Sequence, residues 1–299
     1  MASKQYECII IGAGPGGLVS ALYLERYKRK IAVIDGEDSR ARWIPRIRNL
    51  IGHTKGLTGP ELLENLKEQV SAYKTEIIKG TAQVRRKGRG FEVDIGHRIL
   101  RAKKVILATG MNDIQPPIEN YESLRKKGLL GYCPICDGFD HSKDRIGLLV
   151  NGSHGLKKIS FIAKFSPDLH IIPTKELKLS SHYISTIKKL GAHFHAGQLE
   201  SLQSQTKPRG LTVKMKNRKP FFVKFAYVAL GAVVNASAIQ FIKLVRRSKD
   251  GHFITDAHQQ TSVPGLFAVG DCVHTLSQVS VAVGQAAIAA TQVHNDLGF

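Results

Sequence analysis

Ile9-Ile10-Ile11-Gly12-Ala13-Gly14-Pro15-Gly16-Gly17 decides the fold of this chain. The apolar run from Tyr6 to Ile11 reads as a short buried strand. Gly12, Gly14 and Gly17 follow it at G-x-G-x-x-G spacing, ahead of a helix expected from about Gly16 to Tyr27. The first glycine permits a tight turn, the second lets backbone approach a pyrophosphate, and the third lets helix and strand pack closely, with the helix N-terminus facing the phosphates. Glycine spacing alone is a weak signal. Here a second strand, Ile31 to Ile34, leads into Asp35, 18 residues past Gly17, where a carboxylate accepts hydrogen bonds from ribose hydroxyls. Strand, turn, helix and acid together predict a dinucleotide cradle.

Outward from this unit, Thr58 to Glu61 has the pattern of a capping box with Pro60 at the helix start, and Leu62, Leu63, Leu66 and Val70 recur at helical spacing as core positions. Glycines at 80, 88, 90 and 96 divide residues 76–101 into short strands of an expected antiparallel meander, and Val105 to Ala108 reads as another buried strand, ending in Thr109 and Gly110. After a Pro-containing connector the pattern restarts. Arg145 to Val150 reads as a strand, Asn151 to Gly155 as a loop, Leu156 to Phe165 as a helix and Asp168 to Ile172 as a strand, so a second dinucleotide-fold unit is inserted into the first. Its loop lacks the glycine fingerprint: Asn151 and Ser153 stand where glycines belong. Pro173, Thr174 and Lys175 follow its second strand with neither a ribose-binding acid nor an arginine pair for a 2'-phosphate. The expected unit keeps a fold whose cofactor site is vacated. Phe225 to Leu230 reads as a further strand, Lys243 to Asp250 as a hinge, and Gln278 to Asn295 as an alanine-rich closing helix.

Cys133-Pro134-Ile135-Cys136-Asp137 carries the chemistry. Two thiols at this spacing on a helix's first turn can close an exchangeable disulfide, Pro134 suits the first helical position, and a helix N-terminus favours thiolate. The same spacing fits half a zinc site or two core cysteines. Cys8, inside an apolar run, and Cys272, after Gly270-Asp271, do not supply the second C-x-x-C of a tetrahedral site. The twelve histidines show no metal spacing along the sequence, so no metal is expected.

A length of 299 residues accommodates two cores, and 42% hydrophobic content is ordinary for a globular protein. No apolar run reaches membrane-spanning length, and Met1 to Glu7 is too polar for a secretory signal, so a cytoplasmic protein is expected. The formal charge of +20 points to an acidic partner; the clusters at Arg85-Arg86-Lys87-Arg89 and Arg246-Arg247-Lys249 could face nucleic acid, an anionic membrane or an acidic protein, or be plain solvated surface. Without zinc-finger spacing or basic residues interleaved with aromatics, nucleic acid is not the expected partner.

Taken together, these stretches resemble the low-molecular-weight thioredoxin reductase family over nearly the whole chain. The carrying residues are Gly12 to Gly17, Arg48 to Gly52, Leu57 to Pro60, Ala108 to Gly110, Cys133 to Gly138 and Phe267 to Asp271, with Gln278 and Gly284 in the family's positions. The resemblance implies an α/β fold of two Rossmann-like domains, three-layer ββα in type with small antiparallel meanders. Residues 1–114 and 246–299 would bind FAD, and 115–245 would form the inserted, degenerate pyridine-nucleotide domain carrying the cysteines. The implied flavin contacts are Gly12, Gly14, Pro15, Gly16, Gly17, Asp35, Gly36, Asn49, Val84, Thr109, Gly110, Asp271 and Gln278. The implied catalytic residues are Cys133 as attacking thiol, Cys136 nearer the flavin and Asp137 as proton donor or acceptor.

The departures at Asn151, Ser153 and Pro173, at Ser277 in place of an arginine, and at Ser39-Arg40-Ala41-Arg42-Trp43 in place of a Gly-Gly-Gln loop match the branch that does without NADPH. That branch draws on ferredoxin, on oxygen or on a second flavin. The expected protein is therefore a homodimeric FAD-dependent disulfide oxidoreductase with a thioredoxin-like or small disulfide substrate and an acidic donor such as ferredoxin or flavodoxin. The alternatives are a dithiol oxidase using oxygen and a flavin-binding interaction protein without catalysis. Trp43, the single tryptophan, is expected to serve ordinary packing, with stacking on a flavin ring as the alternative.

Overall fold

A computed structural model describes residues 5–298, so the signal reading of Met1 to Glu7 falls in part outside the described residues. Strand β1 (Gln5–Ile11) turns into helix α1 (Pro15–Arg26) through a loop that demands glycine at two points. Gly12 has φ +106°, and a Cβ on Gly17 would sit 1.8 Å from the Gly12 carbonyl oxygen. Next come β2 (Ile31–Asp35), α2 (Gly59–Ser71), β3 (Glu76–Lys79), β4 (Gln83–Lys87), β5 (Gly90–Asp94) and β6 (Ile99–Leu107). The capping box forms as expected, with the Thr58 hydroxyl accepting from Glu61 N–H and the Glu61 carboxylate accepting from Thr58 N–H.

The chain leaves this first unit along β7 (Met111–Asp113). The second unit contains α3 (Tyr121–Lys126), β8 (Leu130–Gly131), α4 (Pro134–Asp137), β9 (Arg145–Val150), α5 (Ser153–Leu156), α6 (Ile159–Ile162), β10 (Asp168–Pro173), α7 (Ser181–Lys189), β11 (His193–Phe194), β12 (Leu199–Thr206), β13 (Arg209–Met215), β14 (Phe221–Val223) and β15 (Phe225–Ala229). The return follows β16 (Ala232–Val234), and the first unit closes with β17 (Leu266–Ala268) and α8 (Val279–Leu297).

In the first unit a seven-stranded sheet runs β3-β2-β1-β6-β5-β4, with β17 also on β6. Its parallel strands β3, β2, β1, β6 and β17 are flanked by the antiparallel meander β4-β5-β6. The expected meander over 76–101 is thus smaller than its sequence range, because β3 pairs in parallel with β2. One face of the sheet buries Cys8, Ile10, Val33 and Ile106 with Leu18, Leu24, Ala289 and Val293 of α1 and α8. The other buries Ile9, Ile34 and Val105 with Phe91, Val93 and Phe253. Central strands apolar on both faces are what a parallel sheet covered on both sides requires. Each such Ile or Leu contributes roughly 1.5–3 kcal/mol relative to exposure.

The second unit has its own five-stranded parallel sheet, β11-β10-β9-β15-β8, and a three-stranded antiparallel one, β12-β13-β14. Compactness divides the chain at Asn112/Asp113 and Ala232/Val233. The first crossing falls within two residues of the expected 114/115, whereas the return lies thirteen residues before the expected 245/246. Burial explains the difference. Ala238, Ile239 and Val245 enter the first unit's core, and Ile239 bridges to Val84, so residues 233–245 belong to the first unit and Lys243 to Asp250 is no boundary.

Candidate functional site

In the first unit the carboxyl ends of the parallel strands converge. Gly12 follows β1, Asp35 ends β2, Thr109 and Gly110 lie just beyond β6, and Gly270 and Asp271 just beyond β17. The strand order reverses direction between β1 and β6, the switch point at which ligands bind in open α/β sheets. Helix α1 begins there with Gly14 as N-cap, Pro15 at its first position, no side-chain cap and no acidic residue in its first turn. Its leading N–H groups and dipole therefore favour an anion.

The surrounding polar groups are held in place. Asp35 is buried; one carboxylate oxygen accepts from Glu37 N–H at 2.8 Å and the other from Lys67 Nζ at 2.9 Å. Gly36 beside it is exposed. Asn49 Nδ2 donates to Gln278 Oε1 at 2.9 Å, which ties the loop after Ile47 to the N-cap of α8. Arg40 Nη1 pairs with Asp271 Oδ2 at 2.8 Å, and Gly270 N–H donates to Gln285 Oε1 at 2.8 Å. Thr109 Oγ1 is buried with no partner of hydrogen-bonding geometry. Its hydroxyl nevertheless lies close enough to the Cys272 thiol to offset, with Gly110, part of the burial that pushes that thiol up to about 11. A side chain at Gly110 would meet only open space.

An uncapped helix N-terminus, an orphaned hydroxyl and open ground beside Gly110 fit a phosphate-bearing dinucleotide. Two residues near this ground already have partners. Val84 N–H donates to Ala238 O at 2.7 Å, its carbonyl accepts from Gln240 N–H at 3.2 Å and its side chain is fully buried, which leaves only the second lone pair of its carbonyl for a ligand. That same segment, residues 238–240, is the one whose membership in this unit the sequence missed. Trp43 has the Arg42 guanidinium over its ring at 5.1 Å, so one aromatic face already carries a cation. Arg40 is the residue that sequence reasoning overlooked: it neutralises Asp271 beside the anion-favouring helix start.

The second unit holds the sulfur chemistry. Cys133 and Cys136 are joined by a disulfide with Cα atoms 5.3 Å apart, and Cys136 N–H donates to Cys133 O at 2.9 Å. Helix α4 has only four residues, so the helix-dipole assistance expected for a thiolate is small. What lies beside the pair is an acid. Tyr227 Oη donates to Asp137 Oδ1 at 2.6 Å; burial pushes the Asp137 carboxyl above its ordinary value, while Tyr227 and His141 pull it part of the way back. Burial and the adjacent carboxylate also push the Tyr227 phenol up, so it stays a donor. Gly131 makes room for this arrangement, since a Cβ there would be 2.4 Å from Phe225 Cζ and 3.2 Å from Asp137 Oδ2. Phe225 stacks on His141 at 3.9 Å. Tyr227 was missed in sequence; its one signal was a phenol on the alternating buried face Phe225, Tyr227, Ala229 of β15.

The pyridine-nucleotide position of the second unit looks different from the first unit's cradle. After β9 the chain forms two separate helical turns, α5 and α6, where one helix over 156–165 was expected. Thr174 after β10 is buried, with its N–H and hydroxyl both donating to Val150 O, so it is turned to the sheet. Along the sequence the histidines show no metal spacing, but Asp168, His170 and His193 come together in space. Burial pushes His170 down and, with His170 and His193 beside it, pushes His195 down to about 4.

Two dinucleotide folds, one with an anion-binding glycine turn and the other bearing an acid-flanked cysteine pair, define a nucleotide-dependent redox protein. The chain belongs to the pyridine nucleotide-disulphide oxidoreductase family, which matches residues 6–286, and is an oxidoreductase. It is similar to the thioredoxin reductase of Peptoclostridium acidaminophilum, with 28% identity over 307 residues covering 96% of this chain and 95% of that one. Against the thioredoxin reductase of Mycoplasma genitalium it is 24% identical over 305 residues, covering 98% and 95%. The crystal structure of thioredoxin reductase from Streptococcus pyogenes shares its fold, with a TM-score of 0.87 at 23% identity over 98% of each chain. Among the described residues no helix is long and apolar enough to cross a membrane.

Proposed function

We propose that this chain is a thioredoxin reductase-like, FAD-dependent disulfide oxidoreductase that takes its electrons from a donor other than NADPH. The observation that supports the reading is the contrast between the two glycine loops: the first keeps its glycines and leads into a twelve-residue helix, the second has Asn151 before, and Ser153 at the start of, a helical turn of four residues. Gly12, Gly14, Gly16 and Gly17 would hold the pyrophosphate through backbone, Asp35 the ribose, and Asn49, Thr109, Gly110, Asp271 and Gln278 the remainder. When bound, FAD supplies a couple that exchanges two electrons with a disulfide and accepts them singly or in pairs.

The residues of this chain do the exchange chemistry. Cys133 as thiolate attacks the substrate disulfide, forming a mixed disulfide and releasing one substrate thiol, which takes its proton from Asp137 through water. Cys136 then attacks the Cys133 sulfur, reforming the protein disulfide and releasing the second thiol. Two electrons returned to the pair complete the cycle. Burial holds the Asp137 carboxyl above its ordinary value, which favours the protonated form that donates.

The +20 charge supports an acidic donor, ferredoxin or flavodoxin, over a second flavin, because charge complementarity speeds encounter. The thioredoxin reductase likeness supports a thioredoxin-like substrate, a homodimer and a cytoplasmic setting. Anaerobic titration of the yellow protein with NADPH, reduced ferredoxin and a dithiol tests the donor. The expected result is bleaching by ferredoxin, at a rate falling steeply with salt, and by dithiol; stopped-flow bleaching by NADPH at ordinary enzyme rates refutes it. Cys133→Ser and Cys136→Ser should each keep the flavin and abolish disulfide reduction, and retained turnover would overturn the dithiol assignment.

A further inference from the structure

The edge of the second unit's parallel sheet carries a group of side chains that the sulfur chemistry does not use. Along a strand, residues two apart share a face. Asp168 and His170 of β10 therefore point the same way, His170 is paired in register with His193 of β11, and His195, one residue past that strand, meets His170 from the same side. The His170 Nε2 atom lies 2.8 Å from Asp168 Oδ1, the His193 Nε2 atom lies 3.6 Å from that same oxygen, and the three ligand atoms are all within 4.8 Å of one another.

A second layer of contacts fixes their orientation. Arg145 Nε donates to Asp168 Oδ2 at 2.6 Å, leaving Oδ1 directed at the imidazoles. His170 Nδ1 is 2.8 Å from His195 Nε2, and His195 is itself stacked on Phe221 at 3.9 Å. His170 is largely buried, whereas the His193 side chain is 60% exposed.

Two proton arrangements satisfy this network. In one, His195 Nε2–H donates to His170 Nδ1, and His170 Nε2–H donates to Asp168. In the other, His170 Nδ1–H donates to His195 Nε2, and the Nε2 lone pair faces the Asp168 carboxylate, an arrangement relieved by a proton or by a metal ion taken up there. The second is the usual one around bound metal, where a ligating imidazole gives its other N–H to an outer partner and the ligating carboxylate is hydrogen-bonded in turn. Nitrogen and oxygen ligands at about 2.0–2.2 Å suit zinc and its first-row neighbours. Drawing His193 to that distance needs rotation of an exposed ring.

We propose that Asp168 Oδ1, His170 Nε2 and His193 Nε2 form a divalent transition-metal site, with water in the fourth position and His195 and Arg145 as orienting residues. The metal clips the two-residue strand β11 onto β10 and so stabilises the sheet edge, a role separate from disulfide exchange.

The test is calorimetric titration of the oxidised full-length protein with zinc chloride. In that state Cys133 and Cys136 are bonded to each other, and Cys8 and Cys272 are buried, so thiols do not compete. One zinc per chain is expected, with two imidazoles and a carboxylate counted by zinc-edge X-ray absorption and a higher unfolding temperature on zinc addition. His193→Gln, at an exposed position that folding tolerates, should weaken affinity at least about tenfold and remove the thermal shift; His195→Phe should weaken it by about 10–100-fold through the outer partner. Absence of saturable one-to-one binding, sulfur in the metal's ligand shell, or unchanged affinity in His193→Gln would each overturn the proposal.

Discussion

The two dinucleotide-fold units begin alike and diverge at the first turn after the first strand. In the first unit, β1 passes through Gly12 to Gly17 into a helix of twelve residues whose leading amides have no side-chain cap. In the second, β9 passes through Asn151 and Gly152 into α5, a turn of four residues, and the chain must restart at α6. A helix dipole needs aligned peptides, and one turn supplies few of them. Gly155 still serves packing, since a Cβ there would come within 2.6 Å of Ala229 O and 2.8 Å of Val150 Cγ1. The lesson is that a nucleotide fold has separable parts: close helix-on-sheet packing survives in both units, whereas the long helix that aims amides at phosphate remains in one.

Gly17→Ala attacks the intact loop where no relaxation is available, because the added carbon would lie 1.8 Å from a backbone oxygen. Loss of the yellow, folded protein is expected, read by flavin absorbance and by denaturant midpoint; a stable yellow variant would break the comparison. Gly155→Ala in the second unit's loop, one position short of where Gly17 stands in the first, should fold but lose about 1–3 kcal/mol, as overpacked positions do, measured by urea unfolding.

Next in size is the chemistry the second unit keeps. Asp137→Asn should lower disulfide turnover by about 10²–10⁴-fold while flavin stays bound. Its effect on stability has the opposite sign. Because burial raises the folded pKa of Asp137, the wild-type group favours the fold below its unfolded pKa and loses that contribution as pH rises through the folded value. The Asn variant should therefore melt higher than wild type at neutral pH and lose that advantage in acid; an unchanged difference across pH would remove the carboxyl from the account.

Tyr227→Phe takes away a donor that holds the Asp137 carboxyl down, so, with Asp137 as the proton donor, the alkaline limb of the pH–rate profile should move to higher pH, with a smaller loss of rate. The smallest expected effect sharpens the comparison most. Asn151→Gly with Ser153→Gly restores glycines without lengthening α5, so on the proposed donor assignment NADPH should reduce the flavin of this variant no faster than that of the parent. Fast reduction by NADPH in the variant alone would make glycine content, not helix length, the feature that sets nucleotide use in the second unit.

Much of this was legible in sequence. The cradle at Gly12 to Gly17, the buried strands ending at Asp35 and Val150, and the Thr58–Glu61 cap are local devices, read from spacing because their partners lie within a few residues of each other. Tyr227 beside Asp137 and Arg40 on Asp271 were not legible, since the partners are 90 and 231 residues apart. The shortfall at the return crossing has the same origin: residues 233–245 look like a linker until Ile239 meets Val84.

The sequence by itself determined that two nucleotide-type folds are nested, that one keeps its phosphate glycines, and that a cysteine pair sits in the other, because backbone conformation and helical or strand period are properties of neighbouring residues. Tertiary structure alone decided which acid faces which phenol, what satisfies Val84, and that two D-x-H and H-x-H alternations on adjacent strands become one cluster. Register between strands and packing across a sheet join residues that no local pattern connects, and charge and proton affinity are set by those neighbours in space.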